Sequence, residues 1–107
     1  VELVEADLFN LESIAKAAEG IEVVFLATPN HCTYQNIPIA DTLKKAGVKR
    51  VVKLSGLGME DGDEFPYAAE HLEVEKHLNN IRLPFTSLRP SFFYCNWLRM
   101  YAKAIKE

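Results

Sequence analysis

Two proton-handling side chains, Tyr67 and His71, stand four residues apart in a segment whose pattern is typical of an α-helix. A phenol and an imidazole one helical turn apart can share a proton, and imidazole titrates near neutral pH. Three apolar residues continue the same helical face, namely Val74, Leu78 and Ile81. The spacing therefore predicts a helix over residues 67–80 that presents two polar side chains at its N-terminal end.

The segment before this helix predicts where the two polar side chains lie. Arg50–Ser55 is an apolar run typical of a strand, and the loop Gly56–Pro66 joins it to the helix. In a strand–helix unit of a parallel sheet, the helix begins beside the carboxyl edge of the sheet, where ligands bind. We therefore expect Tyr67 and His71 to face a ligand crevice. The residues alone also allow a helix-face tyrosine and a hydrogen-bonded structural histidine.

Predicted strands and helices alternate along the rest of the chain. We expect strands at Val1–Asp7, Ile21–Ala27, Arg50–Ser55 and Pro84–Arg89. Helices are expected near residues 11–18, 31–46, 67–80 and 92–101. Asn10 is suited to cap the first helix, Gly47 to end the second, and Pro38 to start or kink the regular part of the second. This alternation indicates a parallel α/β sheet with right-handed crossovers, and the apolar second strand is typical of one covered on both faces.

Three segments together resemble the NmrA-like, atypical branch of the short-chain dehydrogenase/reductase superfamily. They are Ala46–Val52, His71–Lys76 and Leu83–Phe93. In addition, Tyr67-x-x-x-His71-x-x-x-Glu75 resembles the Tyr-x-x-x-Lys…Glu segment of the superfamily, with His71 where the superfamily has lysine. The resemblance covers essentially the whole chain. It implies a Rossmann-like, three-layer α/β/α domain that binds NAD or NADP.

A glycine-rich phosphate turn is not found in this sequence. Five glycines are present, at Gly20, Gly47, Gly56, Gly58 and Gly62, and none forms the Gly-x-Gly-x-x-Gly pattern that cradles a pyrophosphate. Relative to the family's fold, the chain begins near the third strand, so residues 1–107 are expected to form a single partial domain, truncated at the N-terminus. The residue that selects NAD or NADP follows the second strand, so that choice stays open.

The partial fold has a consequence for Val1–Ala6. In the usual strand order 3-2-1-4-5-6, the family's third strand is separated from its fourth by the missing pair. This strand must then pair elsewhere, or pair with another chain, or belong to a longer protein. An unpaired apolar edge invites association, so we expect a homo-oligomer or association through exposed apolar edges.

The resemblance assigns roles to particular residues. It implies that Tyr67 occupies the catalytic-acid position and that His71 lies near the nicotinamide ribose. The strand ends supply the expected cofactor contacts: Asp7 and Leu8 beside the adenine, Ala27, Thr28, Pro29, Ser55 and Gly56 near the ribose and nicotinamide, and Pro90, Ser91 and Phe92 beside the nicotinamide. Alternatively, each of these strand-end residues forms a turn and has no role in cofactor binding.

The composition of the chain argues against nucleic-acid binding and membrane association. The chain has 107 residues, a net charge of −3 and no basic patch, so we expect no nucleic-acid partner. No apolar run approaches the roughly 20 residues that span a bilayer, no signal peptide is visible, and the two cysteines have no redox spacing, so a cytoplasmic protein without a membrane partner is expected.

Metal sites are not predicted either. The pairs His31–Cys32 and His71–Glu75 have no third ligand at suitable spacing, and His77 is expected to be solvated. The acidic loop Glu60–Glu64 does not have the spacing of a calcium loop, so we interpret it as solvated.

Three functions are compatible with these observations. The first is an oxidoreductase that passes hydride from NAD(P)H to a quinone or carbonyl compound. The second is a dinucleotide-binding redox sensor or regulator without turnover. The third is a truncated fragment without activity of its own. The aromatic residues Phe92, Phe93, Tyr94 and Trp97 either line a pocket for a small apolar substrate or form core or interface.

Overall fold

The computed structural model describes residues 1–58 and 68–106. Its strands are β1 (Val23–Leu26), β2 (Arg50–Leu54) and β3 (Phe85–Leu88). Its α-helices are α1 (Leu11–Ala17), α2 (Asn36–Lys45), α3 (Ala68–Asn80) and α4 (Tyr94–Lys106), and a 3₁₀ helix, Asn30–Gln35, leads into α2. Tyr67 and the acidic loop Glu60–Glu64 lie outside the described residues, so the predictions for them stay predictions.

The three strands form one parallel sheet in the order β1-β2-β3. Val24 pairs with Val51, and Val51 pairs with Phe85, so these three side chains lie in one row on the same face. Parallel neighbours joined through helices are the arrangement that the alternation of strands and helices predicts. The predicted α/β, Rossmann-like fold is therefore confirmed.

Residues 1–6 form no strand in the structure, so the prediction of a strand at Val1–Asp7 is wrong. Val1, Leu3 and Val4 are exposed. An alternating pattern becomes a strand only when a neighbour accepts its backbone hydrogen bonds, and the described sheet contains no strand beside this segment.

The core lies on one face of the sheet. Leu26 and Val51 pack there with Ile39 and Leu43 of α2 and Leu78 of α3. The side chains of Val23 and Phe25 in β1 point to the other face and are 54% and 60% exposed. The expectation that β1 is covered on both faces is therefore wrong for the described residues, because the packed helices bury only the face of Leu26 and Val51.

Local signals place the ends of the helices. Asn10 caps α1, since its side-chain oxygen accepts a hydrogen bond from the backbone N–H of Ser13 at 3.2 Å. After α2, the backbone N–H of Gly47 donates to Lys44 and that of Val48 donates to Leu43, which is the Schellman arrangement. Pro38 lies in the first turn of α2, where a missing N–H costs no helical hydrogen bond.

Within the described residues, none of the helices has the length and apolar character needed to cross a membrane.

Candidate functional site

A crevice opens at the carboxyl edge of the sheet, where β1, β2 and β3 end. Its volume is about 420 Å³. Six of the predicted site residues line it, namely Thr28, Ser55, His71, Pro90, Ser91 and Phe92. The wall is completed by Asn30, Leu54, Phe93 and Asn96. The structure thus brings residues from three strand ends and from α3 together around one space.

Backbone hydrogen bonds hold the two sides of the crevice together. Beyond the regular strands, the N–H of Ser55 donates to the carbonyl of Leu88 at 2.8 Å. The N–H of Leu57 then donates to the carbonyl of Pro90 at 3.0 Å. These bonds continue the pairing of β2 with β3 past the ends of both strands. They therefore keep the Pro90–Phe92 segment beside Ser55.

The other predicted strand-end residues lie in different places. Ala27, Pro29 and Gly56 adjoin crevice residues in sequence but do not line the crevice itself. The Asp7 carboxylate accepts a hydrogen bond from the N–H of Phe9 at 2.9 Å, and the carbonyl of Leu8 accepts one from the Gln35 side chain at 2.8 Å.

Asp7 and Leu8 therefore belong to the turn before α1, and neither lines the crevice. Their predicted contact with the adenine stays a prediction. Tyr67, the predicted catalytic acid, lies outside the described residues.

A buried lysine stands behind His71, and sequence reasoning missed it. Lys53 in β2 is completely buried, and its Nζ lies 2.7 Å from Nδ1 of His71. The same Nζ donates a hydrogen bond to the carbonyl of Leu54 at 3.1 Å. The signal was present in the sequence, because Lys53 is the one charged residue within the apolar run Val51–Leu54. A charged side chain in such a strand needs a partner.

A second charged pair lies on the same side of the sheet. Glu75, one turn after His71 in α3, is buried, and its Oε2 accepts a hydrogen bond from Nη2 of Arg89 at 2.8 Å. Its other oxygen, Oε1, and the hydroxyls of Ser55 and Ser87 are buried without a hydrogen bond of regular geometry to any described residue. Sequence reasoning considered Glu75 in the family pattern and as a possible metal ligand beside His71, but it missed the pairing of Glu75 with Arg89.

The protonation of Lys53, His71 and Glu75 depends on burial and on the neighbouring charges, including that of Arg89. The pKa of Lys53 is lowered to about 8: burial is the main cause, Glu75 opposes the shift, and Arg89 adds to it. Burial and the neighbouring Lys53 lower the pKa of His71, and Glu75 partly opposes this. At neutral pH the ammonium of Lys53 is therefore charged and the imidazole of His71 is neutral.

Burial tends to raise the pKa of Glu75, but Ser87, Arg89 and Ser55 outweigh it, so the pKa lies below its ordinary value. Both hydroxyls thus stand near enough to favour the carboxylate, although their geometry falls short of regular hydrogen bonds. The Glu75 carboxylate of α3 consequently interacts with two cations, Lys53 of β2 and Arg89 after β3.

On the opposite wall, Thr28 is anchored to the start of α2. Its hydroxyl lies 3.0 Å from Nδ2 and 3.1 Å from Oδ1 of the buried Asn36. This contact fixes the end of β1 relative to α2. Asn36 carried no sequence motif, so only the packing of the two segments identifies it.

Aromatic side chains border the crevice beside α4. The ring of Phe92 lies 5.6 Å from that of Trp97, and Trp97 lies 5.0 Å from Tyr101. Phe92, Phe93 and Trp97 are each about half exposed. The cluster is thus partly exposed, and it offers an apolar surface next to the polar crevice.

Two further predictions concern the histidines and metals. His77 was expected to be solvated, but its Nε2 lies 2.7 Å from Oδ1 of Asp41 in α2, so that expectation is wrong. Among residues 1–58 and 68–106, no three His, Cys, Asp or Glu side chains are grouped to hold a metal ion.

Known proteins are similar to this chain in sequence and in structure. Residues 1–97 match the sequence profile of a family described as NAD(P)H-binding. A Streptomyces griseus enzyme, (4-alkanoyl-5-oxo-2,5-dihydrofuran-3-yl)methyl phosphate reductase, is 28% identical over 99 residues, which are 92% of this chain and 35% of that protein.

Solved structures agree with this match. The NADPH-dependent quinone oxidoreductase of Escherichia coli, solved with NADPH, is 25% identical with a TM-score of 0.84 over 99% of this chain and 38% of that one. The triphenylmethane reductase of Citrobacter sp., solved with NADP(H), is 25% identical with a TM-score of 0.81 over 97% and 39%. The chain thus spans less than two fifths of the length of these relatives.

Proposed function

Because this chain belongs to the NAD(P)H-binding family, we propose that its crevice holds the nicotinamide end of the cofactor in an oxidoreductase that reduces a quinone or another carbonyl compound. The resemblance and the cofactor class, NAD or NADP, are confirmed by the family match and by the neighbours solved with NADP(H). The observation that carries the proposal is the convergence of Thr28, Ser55, His71 and the Pro90–Phe92 segment on one crevice.

The chemistry of the lining supports a nicotinamide and its ribose. Ser55 lines the crevice directly after β2, so it can contact a ligand there. His71 and Thr28 add polar groups for ribose hydroxyls, and Pro90–Phe92 offers backbone groups and an apolar side chain for the carboxamide and the ring. When bound, NAD(P)H supplies a hydride, and the protein positions it and excludes water.

The aromatic border supports a flat, apolar hydride acceptor. Phe92 and Phe93 line the crevice, and Trp97 packs against Phe92. Such rings stack well on planar conjugated molecules. The similar E. coli and Citrobacter proteins are named for a quinone and for triphenylmethane, and both names denote molecules with conjugated or aromatic rings. We therefore place the acceptor between His71 and this aromatic border.

A titration of the protein with NADPH and NADH tests the cofactor part. Trp97 is the one tryptophan of the chain and touches Phe92 of the crevice, so its fluorescence is expected to change in a saturable way. His71→Ala is expected to weaken binding about tenfold, as for loss of one or two hydrogen bonds. His77→Ala, on the same helix but paired with Asp41, is the matched control and is expected to leave binding unchanged. Equal affinity in the two variants would contradict the assignment.

Turnover separates an enzyme from a sensor. A form that spans the whole length of the relatives is expected to oxidise NADPH when a quinone is added, and His71→Ala to slow this reaction. Saturable binding of NADPH without turnover over a panel of quinones and carbonyl compounds would instead support the redox-sensor function. Absence of binding in that form would overturn both.

A further inference from the structure

The contact between Lys53 and His71 has a chemical consequence for the crevice. Lys53 is completely buried, and its ammonium has donors only. One of its protons goes to the carbonyl of Leu54, and another is directed at Nδ1 of His71 at 2.7 Å. Because an ammonium cannot accept a hydrogen bond, Nδ1 of His71 must be the acceptor.

The direction of this hydrogen bond determines which ring nitrogen of His71 carries the proton. A neutral imidazole carries one proton, and if Nδ1 is an acceptor, the proton is on Nε2. His71 lines the crevice, and Lys53 occupies the Nδ1 side of its ring. The nitrogen left for a ligand is therefore Nε2, and it is a donor.

We propose that Lys53 is a positioning residue of the crevice, whose ammonium holds His71 as the neutral Nε2–H tautomer so that the ring presents a fixed hydrogen-bond donor to an oxygen atom of the bound molecule. The nature of that molecule rests on the proposed function, and its oxygen is then a ribose hydroxyl of the dinucleotide. The tautomer itself follows from Lys53 and His71 alone.

The surrounding charges support this arrangement over a defined range of pH. From β2, Lys53 faces the ring, and among residues 1–58 and 68–106 the other charged groups that act on this pair are Glu75 of α3 and Arg89 after β3. The pKa of His71 is lowered and that of Lys53 is about 8. The pair of a charged lysine and a neutral histidine therefore exists from the lowered pKa of His71 up to about pH 8.

Nuclear magnetic resonance of the ¹⁵N-labelled imidazole rings tests the tautomer directly, without any ligand. The chain has three histidines, His31, His71 and His77, so the signals can be assigned by substitution. At pH 7 we expect Nδ1 of His71 to be unprotonated and Nε2 to carry the proton. A ring with its proton on Nδ1, or an even mixture of the two tautomers, would overturn the proposal whether or not the Lys53 variants fold.

Substitutions of Lys53 test its role. Lys53→Met removes the ammonium that donates to Nδ1 of His71, so we expect a mixture of the two tautomers. We also expect the His71 signal to titrate at higher pH than in the wild type. Lys53→Arg keeps a buried donor and is expected to restore the Nε2–H form. Lys45→Met, on an exposed position of α2, is the matched control and is expected to change nothing. An unchanged His71 in Lys53→Met would overturn the positioning role.

Addition of NADPH tests two things separately: whether Nε2–H of His71 donates to the bound molecule, and whether the protein binds the dinucleotide at all. If Trp97 reports binding, we expect the Nε2–H signal of His71 to shift, and binding to Lys53→Met to be about tenfold weaker. Binding that leaves the His71 signal in place would overturn the donor role. No binding would overturn the proposed function, whereas the tautomer would still be decided by the ligand-free spectra.

Discussion

At the scale of single residues, the site combines a protonated lysine, Lys53, with a deprotonated carboxylate, Glu75. The ammonium of Lys53 is buried, which costs free energy, while the carboxylate of Glu75 is held charged by Arg89 and two serines. Buried charges of this kind stabilise a fold weakly at best. The contact of Lys53 with His71 supports the positioning role that we propose for this lysine.

The lowered pKa of Lys53 predicts an unusual rise of stability at alkaline pH. Its pKa falls from 10.5 when unfolded to about 8 when folded, so between these values the unfolded chain binds more protons. The free energy of unfolding therefore increases from pH 8 to about pH 10, by at most about 3 kcal/mol. Urea denaturation of the wild type and Lys53→Met over this range measures it. The variant is expected to lack the increase, and parallel curves would contradict the assignment.

The pair of Glu75 and Arg89 predicts strong coupling. Arg89→Met leaves a buried carboxylate without its ion-pair partner and is expected to cost about 2 kcal/mol of unfolding free energy, less than for a fully buried pair because Arg89 is partly exposed. Glu75→Gln is expected to cost about 1 kcal/mol. The double variant should lose clearly less than the sum. Additive losses would show that the two side chains act independently.

The pH dependence of the same pair has the opposite sign to that of Lys53. The folded pKa of Glu75 is depressed below 4.5, so its contribution is present above pH 4.5 and is lost as the pH falls through the lowered value. Wild type and Glu75→Gln should therefore approach each other in stability under acid conditions.

At the scale of secondary-structure elements, α2 and α3 end in the same way with different residues. After α2, Gly47 has φ of +91°. After α3, Arg82 has φ of +55°, and the N–H groups of Arg82 and Leu83 donate to Asn79 and Leu78. Both ends form the Schellman arrangement, but only the first has the glycine that favours this conformation.

This comparison predicts that Arg82→Gly stabilises the fold. Relief of a left-handed backbone at a non-glycine residue is expected to raise the free energy of unfolding by about 0.5–1 kcal/mol, after the extra chain entropy of glycine is subtracted. Lys76→Gly, in the middle of α3, is the control and is expected to cost about 1 kcal/mol. Thermal denaturation measures both, and a loss of stability in Arg82→Gly would contradict the backbone argument.

At the scale of the whole molecule, one face of the sheet and the outer edge of β1 are open in the described residues. Val23, Phe25 and Leu88 are each more than two fifths exposed on that face. The chain spans less than two fifths of the relatives reported above. An apolar edge without a neighbouring strand pairs readily with another chain.

The open edge predicts that these 107 residues associate when isolated. Sedimentation velocity at increasing concentration is expected to show oligomers, and Phe25→Lys is expected to shift the distribution towards the monomer, because a charge on an edge strand opposes pairing. Asn79→Lys makes the same change of charge on the exposed side of α3 and serves as the control. A monomer at every concentration would contradict the role of this edge.

Much of the fold and part of the site could be predicted from the sequence, because those features are local. The periods of apolar residues located β1–β3 and α1–α4 to within a few residues, and Asn10 and Gly47 marked helix ends through their own backbone preferences. Residues directly after strands, such as Thr28 and Ser55, were predicted to meet because parallel strands end at one edge.

The tertiary structure decided everything that depends on which segments become neighbours. Lys53 meets His71 only because β2 lies beneath α3, and Glu75 meets Arg89 only because β3 pairs with β2. The pattern of residues 1–6 suited a strand, but a strand exists only beside a partner. Periodicity is a property of the chain, whereas burial, pairing and the protonation of buried groups are set by what packs against them.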